Sequence, residues 1–124
     1  MKAMIFAAGL GSRLKPLTDT MPKALVPVAG RPMLEHVILK LKAFGFTEIV
    51  INIHHFGEQI LEFLKVNDNF GLTIHISDER DVLLDTGGGI RKASSFFENS
   101  DEPFLVHNVD ILSNVDLKEL YDYH

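Results

Sequence analysis

Short apolar runs alternate with amphipathic helical stretches from one end of the chain to the other. That alternation restricts the fold more than any other feature. The runs are "AMIFAA" (3–8), "EIVINI" (48–53), "LTIHI" (72–76) and "PFLVHNVDIL" (103–112). Each has the length and the β-branched or apolar content of a buried strand. Between them, "RPMLEHVILKLKAFG" (31–45) places Leu34, Val37, Ile38, Leu41 and Phe44 on one helical face. Pro32 suits a first helical position there and Gly45 a C′ position. "GEQILEFLKV" (57–66) groups Ile60, Leu61 and Leu64 in the same way. "GGIRKASSFFE" (88–98) and "DLKELYDYH" (116–124) read as two further helices. Strands that alternate with helices predict an α/β fold, a mostly parallel Rossmann-like sheet with helices on both faces. The chain has 124 residues, the size of one domain.

In such sheets ligands bind at the carboxyl ends of the strands. That edge should gather the segment from Ala8 to Lys23, "NIHH" (52–55), "SDERDVLLDTGGG" (77–89) and "HNVD" (107–110). Charge supports the first of these. The chain carries a net −5, which argues against a broad nucleic-acid surface. Yet residues 1–31 hold Lys2, Arg13, Lys15, Lys23 and Arg31 against Asp19 alone. A cationic segment in an acidic chain points to a local site for a small anion.

The segment "GLGSRLKP" after the first strand is not a familiar phosphate loop. A dinucleotide fingerprint needs a third glycine where Leu14 stands, and the P-loop pattern is absent. Pro16 opposes a long helix directly after the glycines. What remains is a longer loop with bare backbone at Gly9 and Gly11, then Ser12 and two cations. Glycines allow a flat base or a phosphate to approach the amides. Arg13 offers a rigid fork for phosphate oxygens, and Lys23 a second charge.

The longer string "FAAGLGSRLKPLTDTMPKALVPVAGRPMLEH" resembles the signature of the sugar-1-phosphate nucleotidylyltransferases, A-x-G-x-G-x-R-L-x-P-L-T followed by P-K-x-L-x-P-V-x-G-x-P. Ala7, Gly9, Gly11, Arg13, Leu14, Pro16, Leu17, Thr18, Pro22, Lys23, Leu25, Pro27, Val28, Gly30 and Pro32 all fill slots of that pattern. "DVLLDTGGGIRKA" and "FLVHNVDIL" match later family segments in order. The pairing of "DTGGGI" with "VPVAGRPML" is most similar to the N-acetylmuramate-1-phosphate uridylyltransferase branch, with mannose-1-phosphate guanylyltransferases next. The resemblance implies the nucleotide-diphospho-sugar transferase fold. It implies transfer of a nucleotidyl group from a nucleoside triphosphate, UTP favoured, to a sugar 1-phosphate, with release of pyrophosphate.

That reaction asks the protein to align two phosphates and neutralise charge. The resemblance gives Arg13 the leaving pyrophosphate and Lys23 the phosphates from the other side of the loop. Asp110 is the implied Mg²⁺ ligand, since a hard cation takes carboxylate oxygen. Here the sequence reads Asn108-Val109-Asp110 where the family usually has Gly-Asp. Asp85 and Asp116 are weaker metal candidates. Ala8, Gly9, Gly11, Ser12, Thr86 and Gly87 would line the nucleotide. Asn52 either meets the sugar side or simply ends its strand.

Other classes are less well supported. The chain has no cysteine, so disulfides and Cys-ligated metals are excluded. His54 and His55 are adjacent and should point to opposite faces of extended backbone, which argues against a histidine metal site. No apolar run reaches the ~20 residues of a membrane span. "AMIFAAGLG" is short for a signal peptide and is followed by Arg13 and Lys15, so a cytoplasmic location is expected. Family members are longer, and their later half supplies most of the sugar pocket. Residues 1–124 are therefore expected to be the N-terminal nucleotide-binding part, with the sugar-binding half absent. Such a chain should be weakly active or inactive alone, a nucleotide-binding module, and prone to self-association through an unpaired sheet edge. In an enzyme of full family length, Arg13→Ala should lower turnover by more than about twofold and leave the unfolding midpoint nearly unchanged. Pyrophosphate release and a urea melt measure the two effects.

Overall fold

A computed structural model describes residues 1–8, 15–79, 88, 91, 96 and 104–109. Strand β1 is Lys2–Phe6. Two short strands follow, β2 (Pro27–Val28) and β3 (Arg31–Pro32), and then helix α1 (Met33–Ala43). Strand β4 (Glu48–Ile53), helix α2 (Gly57–Val66), strand β5 (Thr73–Asp78) and strand β6 (Leu105–Asn108) complete the described elements. The main sheet runs β5-β4-β1-β6, and its three pairings are parallel. It is the mostly parallel, helix-flanked sheet that the alternation predicts. The chain steps outward from β1 through β4 to β5, then returns to the other side of β1 at β6. The order therefore reverses between β1 and β6, which is where an open α/β sheet offers a crevice.

Side-chain alternation along the strands builds two cores. Ala3, Ile5 and Ala7 face the same side as Ile49, Ile51 and Ile53, and pack with Leu34, Val37, Ile38 and Leu41 of α1 and Ile60 and Leu64 of α2. Met4 and Val50 face the opposite side, where Phe6, Phe96 and Phe104 pack on them. Strand β4 is thus buried on both faces, as its β-branched run requires. Gly88 and Arg91 carry helical backbone within the stretch expected to be helical. The rest of that helix and the final helix lie outside the described residues. No helix among the described residues is long and apolar enough to cross a membrane.

Three details refine the local reading. Strand β1 ends at Phe6, so Ala7 and Ala8 belong to the turn that follows it. Pro32 is the N-cap of α1, one position before the helix, with extended backbone (φ −55°, ψ 145°). It is held there because it pairs with Pro27 across a β2–β3 hairpin. The prolines of "VPVAGRP" disguise this hairpin in the sequence, since proline weakens a strand signal. Ala29 and Gly30, the two loop residues, both have positive φ (52° and 82°), as the favoured tight hairpin turn needs. His36 of α1 secures the hairpin by donating from Nε2 to the Val28 carbonyl at 2.6 Å.

The end of α1 matches its sequence signal. Gly45 has φ +90°. The Phe46 N–H reaches back to the Leu41 carbonyl at 3.0 Å and the Gly45 N–H to the Lys42 carbonyl at 3.1 Å. These are the paired bonds of a Schellman stop, and they drop Phe46 into the core. A Cβ on Gly45 would lie 3.1 Å from the Met1 side chain. Gly45→Ala should therefore destabilise the fold by about 1–2 kcal/mol, read from urea denaturation midpoints.

Candidate functional site

The carboxyl edge of the sheet brings together Ala7 and Ala8 after β1, residues 54–56 after β4, Glu79 after β5 and Val109 after β6. The Val109 N–H bonds the Phe6 carbonyl at 3.1 Å, so the β1–β6 pairing continues to the edge. Asp110 is the next residue. Asp110, Gly9, Gly11, Ser12, Arg13, Asp85, Thr86, Gly87 and Asp116 lie outside the described residues. Among the predicted site residues, Ala8, Lys23 and Asn52 are described.

Asn52 organises this edge. Its Oδ1 accepts from the Ala7 N–H at 2.6 Å and from the Ala8 N–H at 3.2 Å. Its Nδ2 donates to Glu79 Oε2 at 2.9 Å. Asn52 and Glu79 are both buried, 3% and 1% exposed, so these bonds replace water almost completely. The arrangement also fixes which way the amide points. A flipped amide would set NH₂ against two N–H donors and its oxygen against a carboxylate. The Asn52 amide is thus committed inside the protein, holding the start of the glycine-rich segment, and does more than end a strand. The Ala8 N–H is likewise taken, which leaves the Ala8 carbonyl as the polar backbone group of that residue.

Glu79 is itself held by its backbone. Its N–H donates to the Ile53 carbonyl at 2.8 Å, and its carbonyl accepts from His54 Nδ1 at 2.6 Å. The neighbouring His55 turns the other way and donates from Nε2 to the Thr18 carbonyl at 2.8 Å. The two rings therefore serve as structural donors to different segments. Phe56 makes the corner, with left-handed backbone (φ 53°, ψ 39°) at the N-cap of α2. That conformation costs a bulky residue about 1–3 kcal/mol, and the surrounding bonds hold it in place. Gln59 on α2 adds a donor to the Thr20 carbonyl at 2.8 Å.

Thr18 is 2% exposed and sits in the single 3₁₀ turn Leu17–Asp19, where Pro16 had excluded a long helix. A second 3₁₀ turn, Lys23–Leu25, packs against α1. Ala24 is buried in it, so the Lys23 backbone is anchored while its side chain is half-buried. Not all of the early cations share this edge. Lys2 begins β1 at the amino edge and pairs with Glu48 at 3.8 Å, and Arg31 pairs with Glu35 at 3.5 Å. The charge excess of residues 1–31 therefore overstates what the site receives.

Glu79 is the buried carboxylate at this edge that no sequence motif singles out. A signal was available: Asn52 interrupts the run "EIVINI" at a buried position, and a buried amide needs partners. Nothing local says that one partner would be a carboxylate 27 residues further on.

A reversal of strand order beside β1 is the arrangement of a doubly wound fold, and open sheets of that kind take ligands in the crevice at the reversal. A family model described as nucleotidyl transferase matches residues 2–124, and the chain belongs to that family. It is 47% identical over 116 residues to the N-acetylmuramate alpha-1-phosphate uridylyltransferase of Neisseria meningitidis, a match covering 94% of this chain and 49% of that protein. It is 41% identical over 125 residues to the mannose-1-phosphate guanyltransferase of Kluyveromyces lactis, covering 100% of this chain and 34% of that protein. Among solved structures, HddC from Yersinia pseudotuberculosis, complexed with GMP-PN, superposes with a TM-score of 0.85 at 26% identity, covering 98% of this chain and 53% of that one. The chain thus spans between a third and a half of the length of these curated relatives.

Removing the Asn52 amide would take the acceptor from two buried N–H groups and one donor from the buried Glu79 carboxylate. Asn52→Ala should destabilise the chain by about 2–4 kcal/mol in chemical denaturation. Asn52→Asp should be no better tolerated, since it faces Glu79 with a second carboxylate.

Proposed function

We propose that this chain is the nucleotide-binding part of an enzyme that transfers a nucleotidyl group from a nucleoside triphosphate to a sugar 1-phosphate, releasing pyrophosphate. The match of the nucleotidyl transferase family to residues 2–124 carries this reading. UTP is the favoured donor because the uridylyltransferase of Neisseria meningitidis shares 47% identity. A guanylyl donor is the second reading, on the 41% identity over the full chain to a mannose-1-phosphate guanyltransferase.

The triphosphate would lie in the crevice between the ends of β1 and β6. Arg13 would fork onto the departing pyrophosphate, and Lys23 would meet phosphate oxygens from the far side of the loop. Ala8 and Gly9 would face the base with their backbone, as would Thr86 and Gly87, and Gly11 and Ser12 would lie against the phosphates. Asp110 follows directly on the last described pairing of β6 with β1, and its carboxylate is the hard oxygen donor that Mg²⁺ takes. Bound there, Mg²⁺ would offset phosphate charge as the bond to the α-phosphorus is exchanged. The protein's own part is to align the sugar phosphate oxygen with the leaving group and to hold the cations in place.

The test is the unfolding midpoint of the chain with Mg²⁺ and each of UTP, GTP, CTP, ATP and dTTP. A nucleotide at ~100 times its dissociation constant should add about 2.7 kcal/mol, a shift of several degrees. The expected result is a shift for UTP that Arg13→Ala removes. A shift for GTP instead selects the guanylyl reading. No shift with any nucleotide counts against nucleotide binding by this chain.

A further inference from the structure

The four side chains that tether the ends of the glycine-rich segment all come from one short stretch of chain or its buried partner. At the near end, Asn52 Oδ1 collects the Ala7 and Ala8 N–H groups, with Glu79 orienting the amide. At the far end, His55 Nε2 binds the Thr18 carbonyl and Gln59 Nε2 the Thr20 carbonyl. Asn52, His55 and Gln59 lie within eight consecutive positions that cross from β4 into α2. Residues 9–14 stand between the two tethered points in sequence. His54 faces Glu79 and His55 faces Thr18, and the left-handed Phe56 directly after them turns the chain into α2.

We infer that Asn52 and His55 are positioning residues for the bound triphosphate, an inference that rests on the nucleotide reading above. They touch no phosphate. They hold both ends of the segment carrying Arg13 against a single rigid corner, so that the spacing between those ends is set before ligand arrives. The conformational freedom lost on binding is then smaller, and affinity rises for ligands that engage the segment. The effect should be specific to phosphate-rich ligands. A nucleoside monophosphate draws less on this segment than a triphosphate does. Two convergent N–H groups on one oxygen also mean that the near end is already shaped as an anion-binding concavity, with Asn52 Oδ1 filling it. Asn52 therefore fixes the backbone curvature there and keeps a phosphate from settling one residue too early.

The test is a binding titration of the parent chain and its variants with UTP and GTP in Mg²⁺, against UMP and GMP. His55→Phe removes the donor to Thr18 and keeps a ring beside Phe56, which packs at 4.4 Å from His55. It is chosen because Asn52 variants are expected to lose stability. His55→Phe should weaken triphosphate binding about tenfold and monophosphate binding by less than about threefold. Combined with Arg13→Ala it should add little to the loss from Arg13→Ala alone, because both act through one segment. His55→Gln, which can still donate to Thr18, should restore most of the affinity. Equal losses for mono- and triphosphate, or strict additivity with Arg13→Ala, would overturn the positioning role and leave nucleotide binding intact. A parent chain that binds none of these nucleotides would overturn the nucleotide reading and this inference with it.

Discussion

A buried amide, Asn52, stands between two backbone donors and a carboxylate, and the carboxyl edge of the sheet is arranged around it. Burial at 3% exposure makes each of its bonds obligatory, because no water can replace them. Its oxygen fixes how the chain leaves β1, and its nitrogen fixes Glu79 at the end of β5. Three strands are therefore tied together at the one place where irregular backbone begins. Polar groups of this kind are costly inside a protein unless fully paired, and here hydrogen bonds pair both ends of the amide.

The two-sided core provides the rigidity that this tie requires. Ile49, Ile51 and Ile53 pack under α1 and α2, while Val50 faces Met4 on the other side. With β4 locked on both faces, Asn52 cannot slide along the strand, since a one-residue slip would exchange the two faces. The same rigidity carries into α2 through Phe56, so His55 and Gln59 reach the 17–20 turn from a fixed base. In the nucleotide reading proposed above, a segment attached at both ends to a stiff corner would present its backbone and cations to a phosphate chain.

Much of the fold was legible in the sequence because its elements repeat with the right periods. The helical face from Leu34 to Leu41, the stop at Gly45 and the strand 48–53 follow from local spacing and backbone stereochemistry, and the structure places them as expected. The signature from Ala7 to Pro32 indicated the family, and the family match over 2–124 agrees. Helix α1 starts one residue later than local spacing predicts, because Pro32 is recruited into a hairpin with Pro27 that no local periodicity announces. The cationic excess near the start was legible too, but its location was not: Lys2 lies at the opposite edge beside Glu48.

By itself, the sequence determined the α/β architecture, the edge where the loops gather and the family. Those properties reside in the spacing of apolar residues, in glycines and prolines that act on their own backbone, and in a contiguous motif. Only the tertiary structure decided that Asn52 would bind Ala7 and Ala8, 45 and 44 positions away, and that Glu79 would orient it. The reason is geometric. A parallel sheet brings strand ends together from distant parts of the chain, and hydrogen bonds between them depend on register and strand order, which local patterns do not contain.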